Sequence, residues 1–299
     1  MVGLAVSGGP DSLGLVLLAH QAIPHGFKVA TVDHGLRAES AAEAHGVAAL
    51  CDVLGIAYAI LRPIVATTGN LQANARAARY GVLGEWAKAR GLAAIVTAHH
   101  ADDQAETLLM RLARGAGVRG LAVMRGSAYV PGHPGLRLLR PLLGWRKAEL
   151  AAIVARAGMD PARDPSNADA RFERVRVRAV LASAAWLDAA ALAASAANLA
   201  EADAALEWAT AREWNERVTP DDATLTYRPT GPRAIRLRVL ERIIAALGRE
   251  GTPRGSAVAR LDDALKAGGV ATLGGVRAHA VGDRWRFTPA APRKTRATG

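Results

Sequence analysis

The stretch AVSGGPDSLG, residues 5–14, sets Ser7, Gly8, Gly9, Pro10, Asp11 and Ser12 between two apolar runs. A strand, a tight glycine loop and a helix start would aim free backbone N–H groups and the positive end of a helix dipole at one point. That is an anion site, and glycine lets the backbone approach a phosphate closely. No lysine follows, so the loop is not a Walker A sequence and is poorly equipped for γ-phosphate transfer. These six residues are the candidate phosphate-binding loop, against the plainer reading of an ordinary strand-to-helix turn.

Other chemistry-bearing residues cluster after apolar runs. DHGLRAES places Asp33, His34 and Arg37 just past Val32, where His34 and Arg37 could contact a nucleotide or stabilise charge developing on its α-phosphate. AHHADDQAET places His99 and His100 ahead of a helix, with Asp103 and Glu106 one turn apart at its N-terminal end. Two carboxylates there can bind an ammonium or a metal; the plainer reading is a helix start decorated with acids. HHxDD does not have the HExxH zinc spacing. On that helix Ala101, Ala105, Leu108, Leu109 and Leu112 make the expected buried stripe. NLQANARAARYG sets Arg76, Arg79 and Tyr80 on a helix that either lines the same crevice or coats a surface. DPSNADARFERVRVR gathers Arg171, Arg174, Arg176 and Arg178. Read as a helix it buries Phe172, Val175, Ala179 and Ala182; read as a strand its arginines alternate with valines. The helix is preferred because no breaker follows until past Trp186. Either way several guanidiniums point together, a phosphate-contact stripe that does not read bases.

The elements that must position these residues alternate. Strand-like runs at Val2–Val6, Lys28–Val32, Ile56–Leu61 and Leu92–Ala98 are separated by helical stretches, which predicts parallel β-α-β units in an open α/β sheet, Rossmann-like, with helices on both faces. Ligands in such sheets lie at the carboxyl ends of the strands, where every cluster above falls. Beyond Gly115 come a glycine- and proline-rich possible hairpin and a helix at Lys147–Ala157. Leu192, Leu199 and Leu206, seven apart, then predict one long helix with a single seam. VTPDDATLTYRPTGP breaks the pattern, and a small α+β module follows. The expected domains are 1–183, 184–218 as helical connector, 219–289 as the small C-terminal domain, and 290–299 as a basic disordered tail.

Totals narrow the partners. Among 299 residues the net charge is +11, and only five of the 38 basic residues are lysine. An arginine surplus fits nucleic acid, although a GC-rich genome produces the same bias. No apolar run approaches the ~20 residues of a membrane span, and Met1 directly precedes the first strand, so a soluble cytoplasmic protein without a leader is expected. The single Cys51 excludes an internal disulfide framework or a CxxC pair.

The loop SGGxDS is similar to the pyrophosphate loop of the N-type ATP pyrophosphatases. The order SGGPDS, VDHGLR, NLQANARAARY, TAHHADDQAETLLMRLARGAGVRGL, RPLLGWRKAEL and DPSN…RFERVRVR resembles the tRNA(Ile)-lysidine synthases over about residues 2–178. The resemblance implies that ATP adenylates the C2 oxygen of the wobble cytidine in the CAU-anticodon isoleucine tRNA, releasing pyrophosphate. Free lysine then displaces AMP. It implies Mg²⁺ at Asp11, lysine at Asp103, Glu106 and Arg76, a nucleotide or proton-accepting role for His99, and tRNA along Arg171, Arg174, Arg176, Arg178 and the C-terminal module. Where the family tends to have Arg-Asn, this chain has Arg174-Val175. A tRNA thiolase would need more cysteines, an amidating enzyme an ammonia source, and a non-catalytic RNA-binding module has no use for Asp11, Asp103 and Glu106. The alanine-rich connector suits a homodimer seam as well as one within the chain.

Overall fold

The computed structural model describes residues 1–35, 39–66, 68–162, 169, 171–248, 253 and 255–290. Arg37, the DPSN segment at 164–167 and the expected basic tail at 291–299 lie outside the described residues. The chain divides into two compact units, 1–200 and 201–299.

The first unit is built on the expected mostly parallel sheet. Strands β1 (Val2–Ala5), β2 (Phe27–Val32), β3 (Tyr58–Leu61), β4 (Ala94–Val96), β5 (Ser127–Val130) and β6 (His133–Leu139) lie in the order β3-β2-β1-β4-β6-β5. All pairs are parallel except the β5–β6 hairpin. Alternation sends Leu4, Val6, Val29 and Val96 to one face, against Leu13 and Val16 of helix α1 (Pro10–Ala22), Val47 and Cys51 of α2 (Glu39–Val53) and Leu150 of α6 (Lys147–Arg156). Ala5, Ala30, Ile95 and Leu138 face the other way, against Tyr80, Leu83, Trp86 and Ala87 of α3 (Leu71–Ala89). Burial on both faces explains why these strands read as continuous apolar runs. Helix α4 (Ala101–Leu112) follows β4, a short α5 (Val118–Leu121) precedes the hairpin, and α7 (Glu173–Ser183) packs on α4.

Small residues in the central strand are sized for this packing. A Cβ added at Gly3 would fall 2.4 Å from the Trp86 ring. Gly3→Ala is therefore expected to cost about 1–3 kcal/mol of stability, read as a lower denaturation midpoint; an unchanged midpoint would mean that α3 shifts freely.

Helix α8 (Ala189–Arg217) contains the division between the units. Its seam is a full heptad: Ala189, Ala196, Asp203 and Thr210 are buried, with Leu192, Leu199 and Leu206 half-buried between them. Leucine spacing alone marks only the second of these rows.

In the second unit β7 (Val218–Asp221), β8 (Thr224–Tyr227), β9 (Val270–Leu273), β10 (Val276–Val281) and β11 (Arg284–Pro289) form an antiparallel sheet, order β7-β8-β11-β10-β9. Helices α9 (Arg233–Leu247) and α10 (Gly255–Lys266) share its core, with Val239, Leu240, Ile243, Val258, Leu265 and Phe287. Among the described residues no helix is long and apolar enough to cross a membrane.

Candidate active site

The loop after β1 is organised by its own serines. The Ser12 hydroxyl donates to the Gly9 carbonyl at 2.9 Å and accepts from the Ser7 N–H at 3.2 Å. Gly8 has φ +83°, a left-handed conformation that favours glycine. Pro10 opens α1, and Gly9, its cap, offers no side chain to the first turn, so its N–H groups are left without a capping side chain. Asp11 is part-exposed, yet its Oδ1 is buried with no hydrogen-bond partner.

Helix α4 meets this loop through His100. The His100 ring caps α4, accepting from the Asp103 N–H at Nδ1, while Asp103 Oδ2 accepts the His100 N–H, a reciprocal capping box. Its Nε2 lies 3.4 Å from Asp11 and 3.6 Å from Asp103. Burial works against a charged His100, but the bond to Asp11 and the charges of Asp103, Asp11 and Asp102 outweigh it and raise its pKa. Loop and acid helix thus meet at one buried imidazole. Asp102 serves the scaffold instead. It accepts the Lys147 N–H at 2.7 Å and pairs with Arg146 at 3.1 Å, tying α4 to the start of α6.

Glu106 is 2% exposed, not on a solvated face, while Leu112, expected in the buried stripe, is 56% exposed. The reason is α7. Arg174 Nε donates to Glu106 at 2.6 Å and its Nη2 to Asp103 at 3.0 Å; Arg178 Nε donates to Glu106 at 2.8 Å. Glu173 pairs with Arg114 at the far end of α4. The helix is as preferred, but the expected burial of Phe172, Val175, Ala179 and Ala182 is not found: α7 has no fully buried residue, because ion pairs rather than apolar side chains seat it on α4. The four arginines therefore divide. Arg174 and Arg178 turn to the carboxylates; Arg171 is exposed and binds Asp169, and Arg176 donates to the Arg171 carbonyl.

The nucleotide-side residues gather at the other strand ends. A cavity of about 300 Å³ is lined by Ser7, Val32, His34, Ser40, Glu43 and Arg79. Asp33 is a turn-former: it accepts the Ser40 hydroxyl at 2.6 Å and the Gly35 N–H at 3.0 Å, and these bonds lower its pKa. Burial and Arg79 lower the pKa of His34. His99 shares a 2.8 Å hydrogen bond with Thr97 and is pushed down to about 4, chiefly by burial and then by Arg140, Arg76 and Arg79, against the pull of Asp103. Arg76 is exposed and lies over the Tyr80 ring at 5.1 Å.

The low pKa of His99 has a sign. The unfolded chain takes up a proton below about pH 6.5 that the folded protein refuses until about pH 4. Stability contributed by this neutral ring is present above pH 6.5 and is lost as pH falls towards 4. His99→Gln is expected to remove up to about 3 kcal/mol of that acid-dependent loss. Denaturation midpoints at pH 7 and pH 4.5 check it; an equal drop in both proteins would rule His99 out as the source.

The PP-loop domain family matches residues 1–185. The chain is 56% identical over 291 residues to the tRNA(Ile)-lysidine synthase of Novosphingobium aromaticivorans, covering 97% of this chain and 89% of that one. It is 40% identical to the tRNA(Ile)-lysidine synthase of Zymomonas mobilis, covering 98% and 89%. The chain belongs to the tRNA(Ile)-lysidine synthase family. A U34-tRNA thiolase from Methanococcus maripaludis shares the fold, with TM-score 0.55 at 18% identity over 67% of this chain and 71% of that one.

In this member of the tRNA(Ile)-lysidine synthase family, more residues make contacts at the strand ends than motif reading singles out. His100 is visible in the sequence only as a neighbour of His99, Asp102 only as one acid among several, and Arg140 only as the first letter of RPLL. Each makes its contact with residues far along the chain, and no local pattern marks such a partner.

Proposed function

We propose that the first unit ligates free lysine to C2 of the wobble cytidine of the CAU-anticodon isoleucine tRNA, with ATP as the activating substrate. The observation that carries this reading is the meeting of the loop carboxylate Asp11 with Asp103 across His100, which supports an anion site and an ammonium site side by side. The loop N–H groups of Gly8, Gly9, Asp11 and Ser12 orient the triphosphate so that pyrophosphate leaves. The cytidine O2 attacks the α-phosphorus as the α–β bond breaks. The lysine amine, having lost a proton, then attacks C2, and AMP departs with that oxygen. Asp103 and Glu106 hold the ammonium, and Arg76 meets the lysine carboxylate. His34 and Arg37 lie toward the α-phosphate, and neutral His99 offers a lone pair to a hydrogen-bond donor of the nucleotide.

Mg²⁺ fits this site. It is commonly held by one or two carboxylates together with substrate phosphates and water, and Asp11 presents one buried, unpartnered carboxylate oxygen at the loop. When bound, the ion would neutralise charge on the leaving pyrophosphate. Residues 219–289, with the exposed Arg171 and Arg176, contact tRNA through its phosphates, and two copies can pair along the connector.

A thiolase is disfavoured by the sulfur chemistry available. Cys51 is fully buried among the apolar residues between α2 and the sheet, and its thiol is pushed up to about 11, chiefly by burial. The deciding experiment follows pyrophosphate release from ATP and labelled lysine into tRNA, with lysine and the unmodified tRNA added separately and together. Incorporation that needs both ATP and the tRNA establishes the ligase; release that needs tRNA but ignores lysine points to another nucleophile.

A further inference from the structure

Resting on the adenylating-site reading above, we infer that Arg79 and Arg140, neither given a role there, form with Arg76 a binding site for an oxyanion of a reactant. Arg76 and Arg140 both act at Tyr80, which is 4% exposed and packs with Ala5, Ala30 and Leu138 of the sheet, and Arg79 is its neighbour along the chain. Arg76 lies over its ring and Arg140 is within hydrogen-bonding reach of its side chain. Arg79 lines the cavity that also holds Ser7 and His34. Arg140 directly follows β6, beside Thr97, whose N–H bonds the Leu139 carbonyl.

The counter-charge is what the cluster lacks. The groups acting electrostatically on Arg79 are Tyr80 and Arg76, and on Arg140 they are Tyr80 and Arg76 again. Among the described residues no carboxylate pairs with any of the three. Arg140 is 9% exposed, donates to the Arg125 carbonyl at 2.8 Å, and keeps a buried Nε with no partner. A buried guanidinium does not shed its proton, so burying it unpaired is costly. An anion that enters with the substrates supplies the missing partner, and the planar forks suit phosphate or carboxylate. Two reactant groups have that chemistry: the nucleotide α-phosphate and the α-carboxylate of lysine.

The test is equilibrium binding to the full chain of AMP against adenosine and of lysine against lysinamide, for wild type, Arg79→Gln, Arg140→Gln and Arg140→Lys. Each pair differs only in the anionic group. The expected result is that one preference falls at least about 10-fold in both glutamine variants and recovers partly in Arg140→Lys. Loss of the AMP preference assigns the site to phosphate; loss of the lysine preference assigns it to carboxylate. Should Arg140→Gln fail to fold, Arg79→Gln decides the question. Folded variants that keep both preferences overturn the oxyanion site alone. A wild type that discriminates neither pair overturns the adenylating-site reading and this site together.

Discussion

Asp11→Asn is expected to lower pyrophosphate release from ATP on the order of 10³-fold, while AMP binding stays within about 3-fold of wild type. The two readouts part because they rest on different groups. On the proposed reading phosphate rests on backbone N–H groups of the loop, which the substitution leaves in place, with the Ser7–Ser12 bonds that shape it. The carboxylate supplies the charge. Its Oδ1 is buried without a partner and its Oδ2 lies 3.4 Å from His100, so the amide is nearly isosteric yet carries no charge for a cation. Release at the wild-type rate would remove Asp11 from the chemistry. A parallel loss of AMP binding would instead mean that the loop had collapsed.

The second large effect is expected at Glu106. Glu106→Gln should raise the KM for lysine about 100-fold and leave kcat within a few-fold, because one of two charges on the ammonium is lost before the chemical step. The protein should still fold. Arg174 and Arg178 are 43% and 36% exposed at their side chains, so both can turn to water when the carboxylate is gone. Steady-state kinetics with lysine varied at saturating ATP and tRNA checks the split. A change in kcat and KM for ATP as large as that for lysine would show that Glu106 only seats α7.

How much of this is legible in the sequence depends on distance along the chain. The phosphate loop is contiguous, so Ser7 to Ser12 declare themselves by type and order. The parallel sheet is legible because both faces are buried and every strand reads as an apolar run. The α4 acids are visible as a pair one turn apart, but their burial is not. Helical periodicity favours Leu112 for the core, and only the arrival of Arg174 and Arg178, 68 and 72 residues beyond Glu106, reverses that choice. Strands β7 and β8 escape notice for a different reason. Val218–Asp221 and Thr224–Tyr227 hold Pro220, an aspartate-rich turn between them and little apolar alternation, so they look like a linker until the rest of the antiparallel sheet lies beside them.

The arginines seated on α4 have a consequence for how the amino acid loads. Asp103 and Glu106 are already paired with Arg174 and Arg178, so on the proposed reading a lysine ammonium enters by exchange and not by addition. Its apparent affinity is then a competition, weakened by however firmly the guanidiniums hold their places. A polyanion that draws those guanidiniums away relieves the competition, and reciprocity requires lysine to tighten the polyanion by the same factor. Two substrates of opposite charge would in this way promote each other's binding through a pair of half-exposed side chains, with no moving domain between them.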